Sequence, residues 1–186
     1  MKIIFIRHGK TVGNLEKRYI GRTDEPLCSK GKSELLNRRY PDCETVITSG
    51  MRRCIQTAEI IYPNKKIISF TQLNECDFGD FEGKNYNDLS GNLDYRKWID
   101  SGGNMTFPNG ENPDDFKKRC ISAFEKIAAE YGKINVISFV VHGGTIMSIL
   151  EKYAVPSKNY YDYQVQNGSG FITEFDGEKI IILEKI

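Results

Sequence analysis

Ile3-Ile4-Phe5-Ile6-Arg7-His8-Gly9 is an unbroken apolar run that ends in a cation, an imidazole and a turn residue. A half-exposed strand alternates apolar and polar side chains, whereas a strand covered on both faces is apolar throughout. The run therefore reads as a buried strand of a layered α/β protein that delivers Arg7 and His8 at its carboxyl end. The chain has only two histidines. The second, His142, closes the apolar run Val136 to Val141 in the same way and is followed by Gly143-Gly144. Two strands ending in the same chemistry predict one shared site.

Outward from these two strands, Thr45–Thr48 and Ile67–Phe70 read as further short strands. Helices are expected from an N-cap at Ser29 to about Arg39, after Ser49-Gly50 to about Ile61, around Asp94–Asp100, and from Thr145 to Tyr153. The clearest helix starts at Asn112. Asn is a good N-cap, Pro113 suits the first helical position, and Asp114 and Asp115 favour the positive end of the helix dipole. Phe116, Cys120, Ala123, Phe124, Ile127 and Tyr131 then recur at helical spacing until Gly132. Residues 9–26 read as a long loop and 73–83 as irregular. Phe171–Phe175 and Ile180–Leu183, about Asp176-Gly177, read as a closing hairpin. Strand-helix alternation of this kind predicts a mostly parallel central sheet with helices on both faces. Ligands of such sheets bind beyond the carboxyl ends of the strands, which is where His8, Ser49 and His142 fall.

Composition narrows the field. The chain has 186 residues, 39% hydrophobic and 27% charged, with a net charge of +1, which predicts one globular domain over residues 1–186. No basic excess marks it for nucleic acid or a membrane surface, and no apolar run approaches the ~18 residues that span a bilayer. The five cysteines are scattered, without a Cys-x-x-Cys pair, which fits free thiols in a reducing cytoplasm better than a disulfide framework or a zinc site. No signal-like stretch precedes the first strand. A cytoplasmic protein is the expectation.

Four stretches carry chemistry. An uncharged imidazole such as His8 is a competent nucleophile near neutral pH, and the Arg7 guanidinium is a planar fork of donors suited to phosphate oxygens. Ser49-Gly50-Met51-Arg52-Arg53 places two cations in the first turn of a helix, where they oppose the dipole and predict an anion as compensation. His142-Gly143-Gly144-Thr145 brings backbone amides close to an oxyanion, because glycine lets the main chain approach. In Leu73 to Gly83, a carboxyl beside apolar residues can have its pKa raised for proton donation. Composition alone offers Glu75, Asp77, Asp80 and Glu82 there without choosing.

Together the four stretches resemble the histidine phosphatase superfamily, the group that includes cofactor-dependent phosphoglycerate mutases. Arg7-His8-Gly9 matches its signature triplet, Asn14 the asparagine of the following loop, and Gly21-x-x-Asp24-x-Pro26-Leu27 the turn after it. Ser49…Arg53…Gln56-Thr57-Ala58 matches the second arginine motif and selects Arg53 over Arg52. Leu73-x-Glu75…Gly79-x-x-Glu82-Gly83 selects Glu75, and His142-Gly143-Gly144 is similar to the second histidine motif. The resemblance implies His8 as nucleophile, Glu75 as proton donor, and Arg7, Arg53 and a protonated His142 as oxyanion clamps. Asn14, Gly21 and Gly143 would serve substrate binding.

The resemblance also implies a metal-independent phosphomonoesterase with no cofactor, acting on a small-molecule phosphomonoester. No nucleic-acid or membrane partner is expected, and the choice between monomer and homodimer stays open. Residues at about 84–111 would form a cap inserted in the domain, compact where the mutases carry a longer insertion. Phe107-Pro108-Asn109-Gly110-Glu111, Trp98 and Tyr161 to Gly168 are most similar to the α-ribazole phosphatase branch. Cap aromatics Tyr86, Tyr95, Trp98 and Phe107 could stack on a nucleoside-like leaving group or fill the cap's own core. Mutase-type phosphoryl transfer and a non-catalytic phosphate-binding module are the alternatives.

Overall fold

A computed structural model describes residues 1–186. The first strand, β1 (Lys2–Arg7), lies at the centre of a seven-stranded sheet. It pairs in parallel with β4 (Val136–Val141), and β4 pairs with β2 (Thr45–Thr48), which carries β3 (Lys66–Ser69) at the edge. On its other side β1 pairs antiparallel with β6 (Gly170–Phe175), β6 with β7 (Ile180–Lys185), and β7 with the two-residue β5 (Ala154–Val155). The sheet is mixed and mostly parallel, as the alternation predicted, and the hairpin forms its antiparallel flank.

The unbroken apolar run of β1 has a plain cause. Side chains alternate between the faces of a strand. Ile3 and Phe5 pack with Phe124, Ile127, Phe139 and Ile146 on one face, under α5 (Pro113–Glu130) and α6 (Gly143–Tyr153). Ile4 and Ile6 pack with Val46, Ala58, Tyr62 and Val140 on the other, towards α3 (Arg52–Ile61). Both faces are covered, so neither admits a polar residue. A third apolar cluster of Cys76, Phe81, Leu89, Tyr95, Phe107, Phe116 and Cys120 stands apart from these two.

Several boundaries differ from the sequence reading. The loop over residues 9–26 contains a short helix, α1 (Val12–Leu15), closed by a reciprocal cap in which Thr11 Oγ1 accepts from the Asn14 N–H and Asn14 Oδ1 accepts from the Thr11 N–H. The next helix, α2, runs Ser29–Leu36 and is capped by the Cys28 thiol rather than by Ser29. α4 is Leu93–Asp100. α5 starts at its Asn112 cap as expected and ends with Tyr131 as the C-cap residue. α6 begins two residues before the expected Thr145, directly after His142. All five cysteines are free, and no helix is long and apolar enough to cross a membrane.

Candidate active site

Register brings the two histidines together. Arg7 lies opposite Val141 in the β1–β4 ladder, and the His8 N–H donates to Val141 O at 2.9 Å. The next residue on each strand is a histidine, and the two rings stand 5.2 Å apart at 66°. β2 flanks β4 with Thr48 opposite Val140. That places Ser49 beside His142, with 2.8 Å between Oγ and Nε2.

His8 Nδ1 is 2.7 Å from Gly9 O. A carbonyl oxygen only accepts, so Nδ1 carries the proton, and the neutral ring keeps a free lone pair on Nε2. Burial, then Arg53 and Arg7, hold the His8 pKa well below that of an exposed imidazole. The ring is therefore neutral at neutral pH. His142 is lowered likewise, by burial and then by Arg53, His8 and Arg7. This differs from the protonated His142 that the resemblance implied. A third cation beside two guanidiniums, buried with them, is electrostatically unfavourable.

Of the paired arginines, Arg53 points inward and is fully buried, while Arg52 is exposed. Arg53 Nη1 donates to Thr23 O and Nη2 to Gly21 O, both at 2.7 Å. Its Nε is buried without a partner, as is Arg7 Nε. Arg7 Nη1 donates to Val165 O at 2.9 Å. The anion expected at the α3 N-terminus is supplied by the chain itself: Asp24 Oδ1 accepts the Arg52 N–H at 2.7 Å.

Glu75 follows the 3₁₀ turn Thr71–Leu73 at the foot of β3. Its Oε1 accepts the Cys76 N–H at 3.1 Å and its Oε2 accepts the Gly144 N–H at 3.2 Å. Burial raises its pKa, against the pull of those two amides and of Arg53 and Arg7. A carboxyl so placed holds its proton longer than an exposed one and can give it up to a stronger base.

Arg7, His8, Asn14, Glu75 and Gly143 open on one cavity of about 400 Å³. Arg53 and His142 do not reach its lining; both are fully buried. Gly21 does not line it either, because its C=O is taken by Arg53 and its N–H by Glu82 Oε1 at 2.8 Å. Asn14 Oδ1 is occupied by the Thr11 N–H and by Asn167 Nδ2, which also donates to His8 O. Of the four aromatics expected in a cap, Trp98 and Phe107 face the cavity, Tyr95 is buried against Phe81 and Trp98, and Tyr86 is exposed and does not line it.

Much of the wall was not singled out from the sequence. Arg18, Tyr19, Phe78, Phe116, Lys117 and Tyr160 also line the cavity. Phe116 falls in the helical apolar spacing of α5, and nothing in the sequence singles out Lys117. Only the aromatic density of residues 160–163 gave a signal, and it gave no direction. Nowhere are three His, Cys, Asp or Glu side chains grouped as metal ligands.

These strand ends define an α/β fold with an imidazole-bearing, electropositive pocket at the carboxyl edge of its parallel strands. Residues 3–185 match the histidine phosphatase superfamily (branch 1), and the chain belongs to it and is a phosphatase. The 2,3-bisphosphoglycerate-dependent phosphoglycerate mutase 2 of Gloeobacter violaceus is 31% identical over 162 residues, 80% of this chain and 73% of its own. The adenosylcobalamin/α-ribazole phosphatase of Salmonella typhimurium is 24% identical over 177 residues, 90% of this chain and 87% of its own. The crystal structure of the α-ribazole phosphatase from Shigella flexneri matches with a TM-score of 0.85 at 23% identity, covering 98% of this chain and 95% of that one. At that identity the likeness concerns the fold.

Proposed function

We propose that this phosphatase hydrolyses a small phosphomonoester through a phosphohistidine at His8, without a metal ion, with α-ribazole phosphate as the first substrate to test. The observation that carries the reading is the tautomer of His8: its proton is on Nδ1, against Gly9 O, and its Nε2 lone pair is free beside Glu75 and Arg7 in the same cavity. Nε2 forms the bond to phosphorus as the P–O bond to the alcohol breaks, and Glu75 gives its proton to that oxygen. Water then attacks phosphorus, Glu75 takes a proton from it, and the N–P bond breaks. The cycle returns neutral His8 and protonated Glu75.

Arg7 holds an equatorial oxygen from the cavity wall, and Arg53 and His142, buried directly behind that wall, would take the other two as the anion settles against it. In phosphoryl transfer the protein contributes mainly position and charge, which two guanidiniums and an imidazole supply. His142 gains its proton as the dianion arrives, since an adjacent negative charge favours the imidazolium. Asn14, whose Oδ1 is already engaged, presents its Nδ2 protons, and Gly143 opens the α6 amides to the anion. Gly21 serves by holding Arg53.

Aromatic walls from Phe78, Trp98, Phe107 and Tyr160 suit a flat, apolar leaving group better than a glycerate. A panel of phosphomonoesters assayed with a chelator present, including α-ribazole phosphate, tests the reading. Release of phosphate from at least one ester is expected. A chain that only interconverts phosphoglycerates, and only with a bisphosphate primer, would be a mutase, and one that turns over nothing would be a binding module.

A further inference from the structure

Glu82 belongs to the acidic stretch that the sequence left undecided, and it does not line the cavity. Its Oε1 accepts the N–H groups of Gly21, at 2.8 Å, and Thr23, at 2.9 Å. The carbonyls of those same two residues accept from Arg53, each at 2.7 Å. The 21–23 turn is thus held from both sides, by a carboxylate on its donors and by a guanidinium on its acceptors. Arg53 is fully buried and has no carboxylate within ion-pairing distance. A buried cation without such a partner depends on neutral acceptors in fixed places.

The turn has no slack. A Cβ at Gly21 would lie 1.8 Å from Cys76 O, in the residue after Glu75. Glu82 is itself fixed, because Tyr19, just upstream of the turn, bridges to it and exchanges backbone hydrogen bonds with Gly83 and Lys84 at 2.8 and 2.9 Å. We infer that Glu82 is a positioning residue for oxyanion binding: it fixes the 21–23 turn, and the turn aims the Arg53 guanidinium. Of the five N–H groups of a guanidinium, two are spent on the turn, and the rest, including the unpartnered Nε, are left for an anion. The inference rests on the reading of Arg53 as an oxyanion clamp.

A double-mutant cycle with inorganic phosphate as competitive inhibitor tests it. Glu82→Ala should raise the Ki of phosphate and lower kcat/KM for p-nitrophenyl phosphate by about tenfold or more, the scale of losing an aimed donor. Glu82→Gln keeps an oxygen for both amides and should stay within about threefold of the parent. In an Arg53→Ala background, Glu82→Ala should add less than about twofold, since the two act through one turn. If Glu82→Ala does not fold, Glu82→Asp, which keeps the charge but withdraws the oxygen, should show the same loss of phosphate affinity. Parental Ki in the Ala or Asp variant, or losses that multiply in the double variant, would overturn the inference. Parental phosphate affinity in Arg53→Ala alone would instead overturn the reading of Arg53, and the inference with it.

Discussion

Gly144→Ala separates stability from chemistry at one atom. Gly144 sits in the first turn of α6 and its N–H donates to Glu75 Oε2. Alanine is favoured over glycine in a helix by about 1 kcal/mol, so the substitution does not weaken the helix itself. The added Cβ, however, would stand 2.4 Å from Glu75 Oε1, and 2.9 and 3.0 Å from the Phe116 ring. Ordinary contact begins at 3.4 Å, so the carboxyl must retreat by 3.4 − 2.4 = 1.0 Å. A displacement of that size at a reacting group costs on the order of 10²-fold in rate, or about 2.7 kcal/mol of barrier. The assay is kcat/KM, which reports the steps through departure of the alcohol. An alkyl phosphate needs a proton on its leaving oxygen and should lose the full factor. p-Nitrophenyl phosphate, whose leaving group needs little protonation, should lose less than about tenfold. Equal losses for the two esters with an unchanged Tm would refute the role given to Glu75.

Three further predictions concern pH and the cavity wall. kcat/KM should follow a bell whose acid limb lies below pH 6.5, where the depressed His8 finally takes up a proton, and whose basic limb lies above the ordinary Glu range of 4.5, where the raised Glu75 loses its own. Stability has a related dependence. Because both histidines have folded pKa values below 6.5, the unfolded chain binds protons first, and stability should be lost as pH falls below about 6.5. Denaturant midpoints at pH 7 and 5.5, taken in Glu75→Gln so that the raised Glu75 does not add the opposite trend, measure the loss; an unchanged midpoint there would contradict neutral burial of the two rings. Trp98→Ala removes a face of the cavity. It should raise KM for an aromatic alcohol's phosphate by about 2- to 10-fold, as expected for an aromatic contact of 0.5–1.5 kcal/mol, while leaving kcat for a small alkyl phosphate unchanged.

The sequence was legible where chemistry and burial are local. β1 and β4 announced themselves because both faces of each are covered, and α5 because Asn112, Pro113 and the two aspartates write its start. What stayed hidden depends on distant partners. Nothing in Phe171–Phe175 says that it pairs antiparallel with β1, or that two residues at Ala154 form an edge strand. The α1 cap was missed because asparagine stands where glutamate or glutamine usually completes a capping box. Among the site residues, the resemblance chose Arg53 and Glu75. Composition could not, since Arg52 and Asp77 carry the same charges. The Gly21–Arg53–Glu82 arrangement was invisible because its three segments meet only in the folded chain.

The central claim is a covalent bond between His8 Nε2 and phosphorus. Mixing the enzyme with a ³²P-labelled phosphomonoester, quenching within milliseconds in alkali and digesting the chain should leave the label on the peptide that contains His8. The label should be stable in base, be lost in acid, and be absent from His8→Ala. A rapidly hydrolysed ester that leaves no label on the parent, or equal label on His8→Ala, would contradict the account.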